Sequence, residues 1–143
     1  MKAFIYLLLS LLGFTACKDC KEEMRCEYGT PSVDYSVKGR VTDSQGNPIK
    51  GIVVSSTGVT DSATGKGLEA VTAEDGSFVT NQVHEFGIFG KLLFTDVDGA
   101  ENGGEFATKT VDLNALPKNQ VTEGDSWYSG EYEVTADVEL RKK

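Results

Sequence analysis

The sequence predicts an all-β protein, a single antiparallel β-sandwich of about seven strands behind a short apolar leader. Three observations carry that expectation. Apolar residues recur at every second position over several stretches, the period of a strand with one buried face. Clusters of Gly, Asn, Asp and Ser separate these stretches, and 16 glycines against 3 prolines suit a fold with many tight turns. No stretch after the leader reads convincingly as a helix. The chain has 143 residues, 39% hydrophobic and 25% charged, with a mean hydropathy of -0.24, which fits one folded domain. Its formal charge is -8, from 22 acids against 14 bases. That balance repels phosphate backbones and excludes nucleic acid as a partner.

Residues 1–16 read as a signal peptide. Met1 and Lys2 give one positive charge, and Ala3 to Phe14 are apolar apart from Ser10 and the Tyr6 hydroxyl. As a helix that run is about 18 Å long, short of the ~20 residues a bilayer core needs, and it matches the apolar region of a secretion signal. Gly13-Phe14-Thr15-Ala16-Cys17 resembles a bacterial lipobox, with Phe14 where leucine is commoner. The resemblance implies a diacylglyceryl group on the Cys17 sulfur and cleavage just before it. Two acyl chains, at ~0.8 kcal/mol per buried CH₂, hold a protein stably on a membrane. An ordinary secreted protein cleaved near Thr15-Ala16 is the other reading of this leader. In enterobacterial lipoproteins Asp after the lipidated cysteine retains the protein at the inner membrane, and here Lys18 stands there. The resemblance therefore implies the outer membrane, with either face open. Lys18 to Glu23 also resembles, loosely, the surface-export run of Bacteroidota lipoproteins, interrupted by Cys20.

Residues 17–34 read as an acidic tether that holds all three cysteines, Cys17, Cys20 and Cys26. In an oxidising compartment Cys20 and Cys26 are candidates for a local disulfide. An exposed thiol pair or a bond to another chain is the alternative. A structural zinc site wants four ligands, and the whole chain holds one histidine, His84.

The domain expected over 35–143 is read strand by strand. In Ser36 to Thr42, Val37, Gly39 and Val41 share one face, and a turn-forming run, Asp43 to Pro48, leads to the β-branched strand Ile52 to Ser56. Asp75-Gly76, between Val71-Thr72 and Ser77 to Val83, predicts a hairpin with Phe78 as its core anchor. Further strands are expected at Ile88 to Asp96, Glu105 to Leu113 and Gly130 to Leu140. In the last, Tyr132, Val134, Ala136, Val138 and Leu140 alternate inward.

The residues Gly39, Val41, Asp43, Gly46, Pro48, Ile49, Gly51, Ile52 and Val54, followed by Thr72 to Phe78, resemble the carboxypeptidase-regulatory-like, transthyretin-like β-sandwich family. Ala73 departs from that pattern, where Asp is usual. The resemblance implies an accessory or interaction module, and the matched positions serve turns and core. A narrower likeness joins the lipobox, Cys26 to Pro31, the sandwich motif, TDVDGAENGGEF (95–106) and DSWYSGEYEV (125–134). Together they resemble a small set of Bacteroidota lipoproteins encoded beside radical-SAM enzymes. That likeness implies a radical-SAM enzyme or another envelope protein as partner.

Three stretches are candidates for chemistry. Asp96, Asp98, Glu101, Asn102 and Glu105 could offer oxygens to Ca²⁺ from a glycine-rich loop. The spacing is not that of an EF-hand, since Ala100 and Ala107 occupy its fifth and twelfth places. A polar turn between two strands is the competing reading. Trp127 and Tyr128, with Tyr132, read either as an aromatic platform for a glycan or as core packing of the last strand. His84 reads as a surface or loop residue. A hydrolytic triad would have to use it, and the chain has no G-x-S-x-G turn. The expected function is thus non-catalytic and needs no cofactor. It is a lipid-anchored envelope module that binds a partner, or else the substrate or accessory of a radical-SAM modifying enzyme. A calcium- or glycan-binding surface lipoprotein is the more distant reading.

Overall fold

The computed structural model describes residues 29–143. The expectations for the leader, for a lipid on Cys17 and for a Cys20–Cys26 disulfide lie outside the described residues.

Ten strands follow one another: β1 (Ser32–Thr42), β2 (Ile52–Thr57), β3 (Glu69–Val71), β4 (Ser77–Val79), β5 (Val83–Glu85), β6 (Lys91–Asp96), β7 (Lys109–Asp112), β8 (Lys118–Glu123), β9 (Tyr128–Thr135) and β10 (Val138–Glu139). One sheet runs β10-β1-β9-β8, with β4 and β5 also paired to β1, and the other runs β3-β2-β6-β7. The fold is an all-β sandwich with more strands than expected.

β1 is long because its alternation is nearly unbroken. Val33, Tyr35, Val37 and Val41 are buried on the face that Gly39 shares, while Asp34, Ser36, Lys38 and Arg40 between them face outward. It starts at Ser32, whose backbone N–H donates to the Trp127 carbonyl at 2.9 Å, three residues before the expected domain start. Asp34, Tyr35 and Lys38 of β1 each pair with β9 and also with β5 or β4. A strand has two edges, so β4 and β5 lie on the edge opposite β9. The first sheet is built around β1.

The core forms where the two sheets face each other. Tyr35, Val37, Phe78 and Val134 come from the first sheet, and Ile52, Val54, Leu92 and Phe94 from the second. Phe78 meets Phe94 edge to face, with ring centroids 5.7 Å apart. Phe78 is thus the expected anchor, and Val134, Ala136, Val138 and Leu140 are all buried as their alternation predicts.

The strand pairing corrects three expectations. First, the sandwich is not wholly antiparallel, because β9 and β10 both run parallel to β1. Second, Asp75-Gly76 does not close a hairpin between sheet neighbours. The turn is tight, with Ala73 N–H donating to the Ser77 carbonyl at 2.8 Å, yet β3 pairs with β2 and β4 pairs with β1. Thr72 holds the incoming arm to the second sheet: its hydroxyl donates to the Ile49 carbonyl at 2.7 Å and accepts from Ile52 N–H at 2.9 Å. The turn therefore carries the chain between sheets. Third, the expected strand Gly130 to Leu140 breaks after Thr135. Ala136 N–H still donates to the Lys38 carbonyl at 2.8 Å, but the Asp137 side chain, not a backbone carbonyl, accepts from Arg40 N–H at 3.0 Å.

At that break Gly39 is required. A Cβ there would overlap the carbonyl carbon and oxygen of Ala136, and backbone atoms inside a sheet cannot yield cheaply. Gly39→Ala is expected to destabilise the fold by about 2–3 kcal/mol, in the upper range for overpacking. Urea unfolding of the two proteins measures it, and an unchanged midpoint contradicts the close approach.

Candidate functional site

Three adjacent strands of the first sheet bring one polar cluster to its outer face. Val33 and Tyr35 point inward, so Asp34 between them points outward. Across the antiparallel ladder Asp34 lies directly opposite His84 of β5. One Asp34 carboxylate oxygen is 2.6 Å from His84 Nδ1, and the other accepts from the Tyr128 hydroxyl at 2.7 Å. The His84 and Tyr128 rings stack with centroids 6.4 Å apart and planes 18° from parallel. The His84 side chain is 41% exposed and that of Asp34 28%. An ionised Asp34 assigns the Nδ1 proton to the shared hydrogen bond, which leaves Nε2 as an acceptor in the neutral imidazole.

The main chain of His84 is fixed as firmly as its ring. Its N–H donates to Asp61 at 2.7 Å, and its carbonyl accepts from Ser62 N–H at 3.0 Å. Asp61 is buried, and it also accepts from Ala63 N–H, Thr64 N–H and the Thr64 hydroxyl at 3.1, 2.6 and 2.8 Å. The His84 amide and the two Thr64 donors hold its carboxyl down at about 2. Asp61 thereby clamps the loop after β2 onto β5.

Beneath the cluster lies a second polar pair. Glu85 points inward, is buried, and accepts from Thr60 N–H at 2.5 Å. The Tyr35 hydroxyl is fully buried with no hydrogen-bond partner among the described residues. Burial, and then the negative charge of Glu85, push that hydroxyl well above its ordinary range. An exposed imidazole aligned by a carboxylate can accept a hydrogen bond or a proton from a bound group. Reading the sequence alone missed this cluster, because Asp34 lies 50 residues from His84 and 94 from Tyr128. The usable signal was the lone histidine together with the outward parity of position 34.

In the acidic loop the oxygen donors engage different protein partners. Asp96 accepts from Phe106 N–H at 2.8 Å and from Asp98 N–H at 3.1 Å, so it staples the two ends of the loop. Partial burial raises the Asp96 carboxyl, but bonds from Phe106, Asp98 and Gly99 outweigh that and hold it below its usual range. Asp98 accepts from the Asn102 amide at 2.5 Å, Glu105 pairs with Lys143 at 2.6 Å, and Glu101 is exposed. Among the described residues no group of three His, Cys, Asp or Glu side chains is placed to hold a metal. As placed, these carboxylates serve backbone amides, an asparagine and a lysine.

The three aromatic residues have different surroundings. Tyr132 is half-buried and packs on the core. The Tyr128 hydroxyl is committed to Asp34. Trp127 is half-buried against Gly29, where a Cβ would lie 3.2 Å from the indole, and its Nε1 is covered with no partner among the described residues. Asp125 shapes the approach to β9 by accepting from Trp127 N–H and Tyr128 N–H at 3.0 and 3.1 Å.

The hydrogen bond to Asp34 has a titratable signature. Tyr128 can donate only while neutral, and that bond, followed by burial and the charges of Asp34 and Glu131, pushes its hydroxyl up to about 12. Its pKa is raised on folding, so its contribution to stability is whole below the unfolded value near ~10 and is lost as pH climbs through the folded one. Tyrosinate absorbance, with Tyr128→Phe to assign the step, is expected to place this ionisation near 12. Asp34→Asn is expected to lower it. Ionisation near ~10 in the parent protein contradicts the bond. No protein-family model matches the chain, and no curated protein matches it in sequence.

Proposed function

We propose that the chain is a lipid-anchored cell-envelope protein of the outer membrane whose sandwich is a non-catalytic interaction module. The leader and Cys17 support the anchor, and the carboxypeptidase-regulatory-like motif supports the module. The observation that carries the interaction reading is β8. Among the described residues this strand ends the first sheet, pairs only with β9, and exposes all six of its residues. Its free edge offers backbone donors and acceptors to an incoming strand. Two features blunt indiscriminate pairing. Lys118 opens the strand, and Val121, 57% exposed, sits at an irregularity in the β8–β9 register. A partner must match that irregular edge, which favours one partner over many.

The narrower resemblance supports a second role, as substrate or accessory of a radical-SAM enzyme. One experiment separates the two. The full-length chain is expressed in its native host with a photo-crosslinking residue at Val121 or, as a control, at Val97, and its intact mass is measured. The proposal expects a discrete adduct from position 121 and none from 97, with a diacylglyceryl mass on Cys17 and no other modification. Extra mass on a side chain beyond Cys17 favours the radical-SAM role. A Cys17 without lipid, or no adduct from either position, contradicts the anchored module.

A further inference from the structure

Among the described residues, Phe78, Phe94 and Phe106 are buried, whereas Phe86 and Phe89 are 59% and 44% exposed. Both exposed rings sit in one short loop, Phe86-Gly87-Ile88-Phe89-Gly90, between β5 and β6. The loop is held in shape. Ile88 packs on the core between the two phenylalanines, and the Gly90 carbonyl accepts from Leu113 N–H at 3.0 Å. Gly90 has φ of 99°, and a Cβ there would lie 2.7 Å from the Thr57 carbonyl oxygen and 2.9 Å from Val59. The two rings are therefore presented to solvent by a braced turn.

The position of the loop says what it meets. Glu85 pairs with Val33, so Phe86 lies just past the Ser32 end of β1. That is the end at which the chain from Cys17 enters the sandwich, after a stretch that cannot exceed roughly 50 Å even fully extended. Resting on the lipid anchor proposed above, we infer that Phe86 and Phe89 insert into the lipid surface and set which face of the sandwich points away from the membrane. The anchor supplies the local concentration of bilayer, so two aromatic side chains need only orient the domain. Charge does not drive the contact. Lys91, which follows the loop, lies opposite Asp112, and the chain carries a formal charge of -8. A zwitterionic bilayer suffices, and the contact is insensitive to salt.

The test uses the full-length lipidated protein in vesicles of phosphatidylethanolamine and phosphatidylcholine with brominated acyl chains. Reporters are Phe89→Trp, Phe86→Trp as a second loop position, and Val97→Trp at the far end of β6. Each is read against the parent protein, whose only tryptophan is Trp127. Both loop reporters are expected to lose most of their added emission to the brominated lipid, at low and high salt alike, while position 97 keeps its own. Equal quenching at both ends, or none, overturns the lipid contact but leaves the anchor standing. A loop reporter shielded from acrylamide yet not reached by bromine means that another copy or another part of the chain covers the loop, which also overturns it. Absence of lipid on Cys17 by mass spectrometry overturns both the anchor and the contact.

Discussion

Where the C-terminal stretch crosses β1, the Ala136 carbonyl occupies the space that a side chain at position 39 would fill. Gly39 permits this, and the rest of the sandwich follows from it. β9 runs parallel to β1 as far as Thr135, and after the break β10 continues alongside Val41 and Thr42. Leu140 N–H then donates to the Thr42 carbonyl at 2.8 Å, so Val138 and Leu140 are delivered into the core. The next residues reach toward the chain between β6 and β7. Ala107 N–H donates to the Arg141 carbonyl at 2.9 Å, and Lys143 N–H donates to the Glu105 carbonyl at 3.0 Å. One stretch of chain thus extends the first sheet and ties it to the loop that closes the second.

The same strand sets the polar cluster. Side-chain parity along β1 puts Val33 and Tyr35 in the core and Asp34 outside. A slip of one residue would bury the carboxylate and expose two apolar side chains. With Asp34 fixed outward, His84 and Tyr128 find it from either side, since β5 and β9 occupy opposite edges of β1. The cluster and the braced Phe86–Gly90 loop share the end of the sandwich where β1 begins, while the Asp43–Pro48 turn and the acidic loop lie at the other. The two exposed phenylalanines, Phe86 and Phe89, thus lie at the end of the sandwich where β1 begins.

Much of this was legible in the residues. Alternation along Ser36 to Thr42 and Tyr132 to Leu140 gave the correct inward faces. The turn after β1 forms as its composition implies, with the Asp43 carboxylate accepting from Gln45 N–H and Asn47 N–H at 2.8 and 2.9 Å. What alternation does not carry is the identity of the neighbour. It marks which face is buried, but a strand partner is chosen by packing across the whole sandwich. Hence the parallel β1–β9 pair and the cross-sheet path at Asp75-Gly76 could not be read locally. β8 was missed because it buries neither face and so has no period to detect. The acidic loop shows a related limit of local reading: a carboxylate that staples a turn has the same local sequence as one that binds a cation, and the partners of Asp96 were visible only in the fold.

The central structural claim concerns the molecule's C-terminal stretch: it is part of the core held by β1. Residue-resolved amide hydrogen exchange on the full chain tests this directly. The N–H groups of Val37 and Val41, bonded to the Thr80 hydroxyl and the Gly76 carbonyl, and those of Ala136 and Leu140 are predicted to exchange together at the slowest rates. Those of β8 are predicted to exchange far sooner. Early exchange at Ala136 and Leu140, while Val37 and Val41 remain protected, would show that the stretch opens independently and would contradict the account.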